Sequence, residues 1–426
     1  MISPWKASAL SLAPPNPAPK PAPSLARVSG FSEQVDTMDL SGPHTIKDTP
    51  EYMEQNLGPE TLEWVKDGRP VTIAVGEGRK TLERLKESGW NLGEPVDKEV
   101  GFHQVRHAKD PEGKSQLLIW RVNGDDRVEH MQSFLKLAGA VGEQVQTVGA
   151  THSFKDDYLR TFRRLGDKAP DLVVYGMSKT SAFALLSDHP VRNLGHLWDL
   201  FSRRGAPVVG ETEESSDMAN VKMEVMKLRN GQDVWFLPPL YGDLSRDLLD
   251  ALLEHGVKKL NFVGTCGGVD PSLQVRQVTT PHTWVHPDGE RESLDWLTPH
   301  SGHDLQVSYS RVSTPNIETQ KWAKDMDAKD VDVIEVELGH WFKVLEDRPD
   351  VEFRVQTVVS DVIQGPNHRD MTRWGFRDNF ATMGPVKAAI EEALGADEGR
   401  DTLVDDFFSV PLVQPKDKST DPNKKS

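Results

Sequence analysis

The stretch Lys259-Leu260-Asn261-Phe262-Val263 runs directly into Gly264-Thr265-Cys266-Gly267-Gly268. The first half has the composition of a short buried strand, and the second half is glycine-rich. A strand that ends in such a turn brings backbone N–H groups close to a ligand, and a nest of this kind binds phosphate or ribose oxygens. The same pattern also describes an ordinary tight turn. Upstream, Leu244, Leu248, Leu249, Leu252 and Leu253 share one helical face, and Gly256 follows as a C-cap. Further out, 172–175, 221–228 and 234–237 read as strands, with Asn230-Gly231 as a hairpin turn between the last two. Downstream, 275–280, 331–334 and 351–359 are strand candidates, and 317–327 and 386–394 are helix candidates. Strands alternating with helices predict an α/β fold.

Two further segments carry chemistry. Val333-Ile334-Glu335-Val336-Glu337-Leu338-Gly339-His340 places two carboxylates in an apolar setting. Either one charge faces water at an edge strand or helix start, or a carboxylate sits in a cleft and accepts from vicinal sugar hydroxyls. Val355-Gln356-Thr357-Val358-Val359 ends in Ser360-Asp361. The C-terminal end of a central strand is where open α/β sheets hold ligands, although a lone Asp there also serves as a turn or cap residue.

Taken in this order, the three segments resemble the nucleoside phosphorylase/nucleosidase superfamily, which includes purine nucleoside phosphorylases, uridine phosphorylases and the methylthioadenosine/adenosylhomocysteine nucleosidases. The correspondence spans about 170–395. It joins Gly264-Thr265-Cys266-Gly267-Gly268, Glu335-Val336-Glu337 and Ser360-Asp361 to a worn turn at Pro239-Leu240-Tyr241-Gly242-Asp243. The resemblance implies a three-layer α/β/α domain with a central mixed twisted sheet, and cleavage of the N-glycosidic bond of a purine nucleoside or related nucleotide by water or phosphate. The alternative is a non-catalytic nucleoside-binding sensor or scaffold of the same fold. By resemblance, Asp361 is the general acid on the purine ring nitrogen. Glu337, more than Glu335, holds the ribose hydroxyls, and Val336 packs on the sugar. Thr265, with the backbone of Gly264, Gly267 and Gly268, contacts phosphate or the attacking water. Ser360 adjoins the acid, and Thr314 to Ile317 flank the base. The family is oligomeric, so a homo-oligomer is expected, with no cofactor and no metal.

Departures from the family pattern bear on the nucleophile. Phe262 stands where many phosphorylases carry a phosphate-gripping Arg. Tyr175-Gly176-Met177-Ser178-Lys179 is only a candidate for the first phosphate turn. Arg246, Arg369 and Arg373 are candidate cations from elsewhere. These features favour water over phosphate.

The chain before this region divides in two. Residues 1–48 carry Pro14, Pro15, Pro17, Pro19, Pro21 and Pro23 among small residues and read as a disordered, extended tail. A chain beginning near Asp48 is therefore expected to unfold at nearly the full-length temperature. Residues 49–167 read as a small α/β block of unknown role, with strands at 71–75 and 116–122 and helices at 80–87 and 127–137. Residues 396–426 form a C-terminal extension, loose at its end.

Composition narrows the partners. The 426 residues carry a net charge of −16, which disfavours binding a phosphate backbone, so no nucleic-acid partner is expected. No apolar run approaches the roughly 20 residues of a membrane span, and no secretory signal is evident. Cys266 is the only cysteine, which fits a reducing compartment, and a cytoplasmic location is expected. Gly76-Glu77-Gly78-Arg79-Lys80-Thr81 lacks the spacing of a nucleotide loop. His282, His286, His300 and His303 are interrupted by prolines and cannot share one helix. Gly176-Met177-Ser178 lacks the Gly-x-Ser-x-Gly elbow.

Overall fold

The computed structural model describes residues 25–96, 103–186, 222–300, 302, 304–395 and 404–412. The N-terminal block comprises β1 (Arg27–Ser29), α1 (Glu33–Thr37), α2 (Thr49–Leu57), α3 (Pro59–Lys66), β2 (Val71–Val75), α4 (Gly78–Glu87), β3 (Asn91–Pro95), β4 (Gln104–Lys109), β5 (Ser115–Val122), α5 (Asp125–Leu137) and β6 (Val145–Gly149). Its six strands pair in the order β1-β6-β2-β5-β4-β3. β2 is buried along its length and lies parallel to β5 and β6, as its unbroken Val-Thr-Ile-Ala-Val run requires. Gly76 leaves β2 at φ +133°, and a Cβ there would meet Thr81 Oγ1 at 2.8 Å. Close packing accounts for that glycine without any nucleotide.

The larger block contains α6 (Lys155–Leu165), β7 (Leu172–Gly176), α7 (Ser178–Leu186), β8 (Lys222–Leu228), β9 (Asp233–Leu237), α8 (Leu244–Glu254), β10 (Lys259–Gly268), β11 (Val278–Val285), β12 (Arg291–Ser293), β13 (Leu305–Arg311), α9 (Gln320–Asp327), β14 (Val333–Glu335), α10 (Leu338–Leu345), β15 (Glu352–Val362), α11 (Phe376–Ala381), α12 (Met383–Leu394) and β16 (Val404–Pro411). Ten strands form one mixed sheet. It runs β12-β11-β13-β14-β10-β7-β9-β8-β16, and β15 pairs with β10 and β11. Tyr158 and Phe162 of α6, Leu248 and Leu252 of α8, and Trp341 and Phe342 of α10 share one core cluster with sheet residues. Leu185 of α7 and Val386 and Ile390 of α12 share another with Leu172, Val174 and Phe236. Because Val173 and Tyr175 belong to the first cluster, the alternation along β7 puts the two helix groups on opposite faces. The result is the three-layer α/β/α arrangement expected from sequence.

Several boundaries differ from those expectations. The tail expectation fails for 25–48, which are folded, and its part over 1–24 lies outside the described residues. β1 pairs antiparallel with β6, Val35, Met38 and Ile46 are buried, and Lys136 Nζ donates to the carbonyls of Val35, Asp36 and Met38 at 2.7–2.9 Å. Local proline content does not reveal such distant partners. Helix α6, expected within the first block, packs into the core of the second. β16, which falls in the expected C-terminal extension ahead of its loose end, pairs antiparallel with β8 at the sheet edge. Residues 413–426 and His303 lie outside the described residues. His282 and His286 bond Val307 O and Glu292, and no group of three metal-binding side chains occurs among the described residues. No helix among those residues is long and apolar enough to cross a membrane.

The folded 25–47 segment reverses the truncation expectation. Burying an aliphatic side chain contributes about 1.5–3 kcal/mol, and three are lost with this segment. Deleting residues 1–47 should lower the unfolding temperature by about 5 °C or more, measured by calorimetry. An unchanged transition would mean that these contacts contribute nothing to stability.

Candidate functional site

The cavity arises where the sheet splits beside β10. On one side, β7 pairs with β10 only as far as Val263. On the same side, β14 takes over antiparallel at Gly267 and Gly268. Between them Gly264, Thr265 and Cys266 are paired only with β15 among the described strands. Their other edge opens on a cavity of ≈ 590 Å³, at the strand ends where open α/β sheets hold ligands.

This geometry corrects the expected glycine-rich turn. Gly264 to Gly268 continue as strand, in parallel register with Thr357 to Val362, because a pairing partner remote in sequence captures their backbone. The glycines serve close approach instead. A Cβ on Gly264 would lie 2.4 Å from Phe262 Cε1, and one on Gly267 would lie 3.2 Å from Ile334 and 3.5 Å from Asp361 Oδ2. Gly267 thus leaves room beside the Asp361 carboxyl.

Asp361 lies inside β15 rather than just past a strand end. Cys266 pairs with Val359 and Gly267 with Asp361, so Ser360 is the extra residue of a β-bulge. A bulge re-aims side chains next to sites, and here Ser360 and Asp361 both line the cavity. Ser360 Oγ reaches Asp361 Oδ1 at 2.6 Å and Cys266 O at 3.1 Å. Burial pushes the Asp361 carboxyl up to about 6; Ser360 opposes the shift, Asp370 adds to it, and Arg369 opposes it.

The opposite wall is acidic as well. Glu335 Oε2 accepts the N–H groups of Glu337 and Leu338, both at 2.7 Å, so this carboxylate caps the start of α10. Glu337 is raised well above the usual carboxylate range by burial and by the adjoining Glu335, with which it shares a side-chain hydrogen bond. Both carboxyls line the cavity. Val336 lines the cavity beside them.

Of the expected residues, Gly268, Thr314, Asn316 and Ile317 are not among those lining the cavity, whereas Pro315 is. Gly268 packs toward Val359 and Leu273. Thr314 is fully buried, where it meets His130 Nδ1 at 2.9 Å and accepts from Asn316 N. Its role is to tie α5 of the first block to the second. The expected cations are also elsewhere. Arg369 forks onto Asp378, and neither Arg246 nor Arg373 is among the lining residues.

The structure also supplies residues that the motifs did not indicate. Glu318, the residue after the expected 314–317 stretch, is 5% exposed and lines the cavity. Burial, then the charge of Asp361, raises its carboxyl well above the ordinary range. A lone Glu between Ile317 and the helix-capping Thr319 was the available signal, but burial cannot be read from it. Lys179 and Thr180 of α7 line the far end with Gly176 and Met177, so the candidate first turn does reach the site. Phe262 stacks near Tyr175 and Trp341, which explains an aromatic at the place of a phosphate-gripping Arg. Met371, Trp374 and Asn379 close one wall.

No family model matches the sequence, and no curated protein matches it. Among solved structures, the chain is similar to a schistosoma purine nucleoside phosphorylase in complex with hypoxanthine. The identity is 9%, the match covers 56% of this chain and 95% of that one, and the TM-score is 0.37. It is also similar to an MTA nucleosidase (MTAN) from Chlamydia trachomatis bound to MTA, at 11% identity, covering 53% and 96% of the two chains, with a TM-score of 0.31.

Proposed function

We propose that the cavity binds a purine nucleoside, or a nucleotide built on one, and cleaves its N-glycosidic bond. The observation that carries this reading is Asp361, a buried carboxyl raised to about 6 and aimed by a bulge into the cavity that Glu337 also lines. A purine leaves poorly as an anion, and an acid positioned at a ring nitrogen removes that cost as the bond breaks. Glu318, whose carboxyl burial raises well above the ordinary range, donates to a second heteroatom of the base. Glu337 accepts from the ribose hydroxyls, and Val336 packs on the sugar.

Water is the nucleophile in this reading. Among the described residues, four that bear carboxyls and one cation, Lys179, line the cavity. A phosphate dianion in a partly dry site requires several cations and donors in place of its water, and the described lining offers a single cationic side chain. The test is release of free base from a panel of purine nucleosides in phosphate-free buffer, then with millimolar phosphate added. Equal rates with free ribose as product are expected. A strict phosphate requirement with ribose-1-phosphate formed would overturn the choice of nucleophile. Binding without base release would mark a nucleoside-binding site that performs no cleavage.

A further inference from the structure

Helix α5 belongs to the N-terminal block, yet its first turn reaches behind the sugar side of the cavity. We infer that α5 is part of the same site: Asp126 is a positioning residue that holds Glu337 in place, so that recognition of the sugar depends on the docked N-terminal block. This inference rests on the cavity being a nucleoside site.

Asp126 is 6% exposed, and its carboxylate gathers three separate segments of the larger block. It accepts from Arg311 Nη2, from His340 Nε2 at 2.6 Å and from the backbone N–H of Asp243 at 2.9 Å. Each partner leads to Glu337. Arg311 also donates Nε–H to the carbonyl of Val336 at 3.3 Å, the residue before Glu337. His340 stands in the first turn of α10, and its backbone N–H donates to the Glu337 carbonyl at 3.0 Å. Gly242, beside Asp243, donates its N–H to the Glu337 carboxyl.

The approach of Asp126 to this turn is close. Gly242 sits at φ +57°, and a Cβ there would come 2.3 Å from Asp126 Oδ2. Only glycine lets the turn lie between the two carboxyls. The grip is reciprocal, since Asp243 Oδ2 accepts the N–H of Asp125 at 2.8 Å. One position further on, the Arg127 guanidinium lies over the ring of Tyr241, 4.5 Å from its centroid, and Tyr241 lines the cavity. Burial works against a charge on Asp126, but the bonds from His340 and Arg311 outweigh it and hold the carboxyl below its ordinary range. Asp126 therefore keeps both partners, while burial and Glu335 push the nearby Glu337 carboxyl the other way. Buried ion clusters respond strongly to loss of one member, and a displacement of about 1 Å at a site can cost on the order of 100-fold in rate.

Two readouts test the inference on the full-length protein. In Asp126→Asn, amides 336–340 should exchange with deuterium about tenfold faster or more. The KM for a purine riboside should rise about tenfold, and the preference for riboside over 2′-deoxyriboside should shrink severalfold. Should Asp126→Asn fail to fold, Arg311→Lys keeps the charge but cannot span Asp126 and Val336 O together, and the same outcomes are expected. Unchanged exchange at 336–340 overturns the inference. So does an equal loss on both sugars, which is what a purely structural role would produce. If the wild-type protein releases no base, the cleavage reading falls; the exchange measurement alone then decides whether α5 holds the segment.

Discussion

Replacing Asp361 with Asn should lower turnover on a purine nucleoside by about two orders of magnitude or more, the usual worth of a positioned general acid. Asn fills the same space beside Gly267 and Ser360 but has no proton to give. The pH profile makes the prediction more specific. Burial raises the Asp361 carboxyl to about 6, so the acid is protonated below that pH and loses its proton above it. Wild-type turnover should therefore fall on the alkaline side, by about tenfold per pH unit beyond the transition. Asp361→Asn should retain little activity and lose that limb of the profile. Linkage gives an independent check. The folded state holds this proton more tightly than the unfolded chain, so wild-type stability declines as pH rises from about 4 through about 6. The variant has no carboxyl at this position and should lose the share of the decline that Asp361 contributes, while Glu318, Glu337 and Asp243, also raised by burial, keep theirs. Full turnover in Asp361→Asn, or an alkaline limb that survives the substitution, would remove Asp361 from the role of acid.

Glu337→Ala should be the next most damaging change, raising KM and lowering turnover on ribosides by about tenfold or more in kcat/KM. The loss should be smaller on 2′-deoxyribosides, which offer one fewer hydroxyl. Glu335→Ala should act differently. Its carboxylate is occupied with the N–H groups of Glu337 and Leu338, so its removal should cost about 1 kcal/mol of stability as a lost cap, in addition to any effect on its neighbour. Steady-state kinetics on paired ribose and deoxyribose substrates, with thermal unfolding of each variant, separates the two. If Glu335→Ala abolishes discrimination between the sugars while Glu337→Ala preserves it, the assignment within Glu335-Val336-Glu337 is reversed.

Legibility varied with the range of the interactions involved. Val71–Val75 and Leu172–Gly176 were readable as strands because they are buried on both faces, and burial of that kind demands an unbroken apolar run. α8 was readable because its leucines recur at helical spacing. The glycine run 264–268 was readable as important but not in its conformation. Turn and strand compete for such residues, and β15 decides the outcome by pairing with them. Asp361 was found as a motif residue, whereas its orientation depends on an extra residue at Ser360 that exists only relative to Cys266 and Gly267.

The residues that sequence reading passed over have a common cause. Glu318 belongs to no recognisable motif, and its place in the cavity follows from burial against Asp361. Thr314 was misplaced because it faces His130 of the first block rather than the cavity. The order of strands and helices and the carboxylates of the motifs follow from local pattern, since burial periodicity and backbone preference act over neighbouring residues. The cavity, the raised carboxyl of Asp361 and the grip of Asp126 on the segment around Glu337 were decided only by tertiary structure. Each depends on desolvation and contacts between residues separated by long stretches of chain, and no local pattern encodes those.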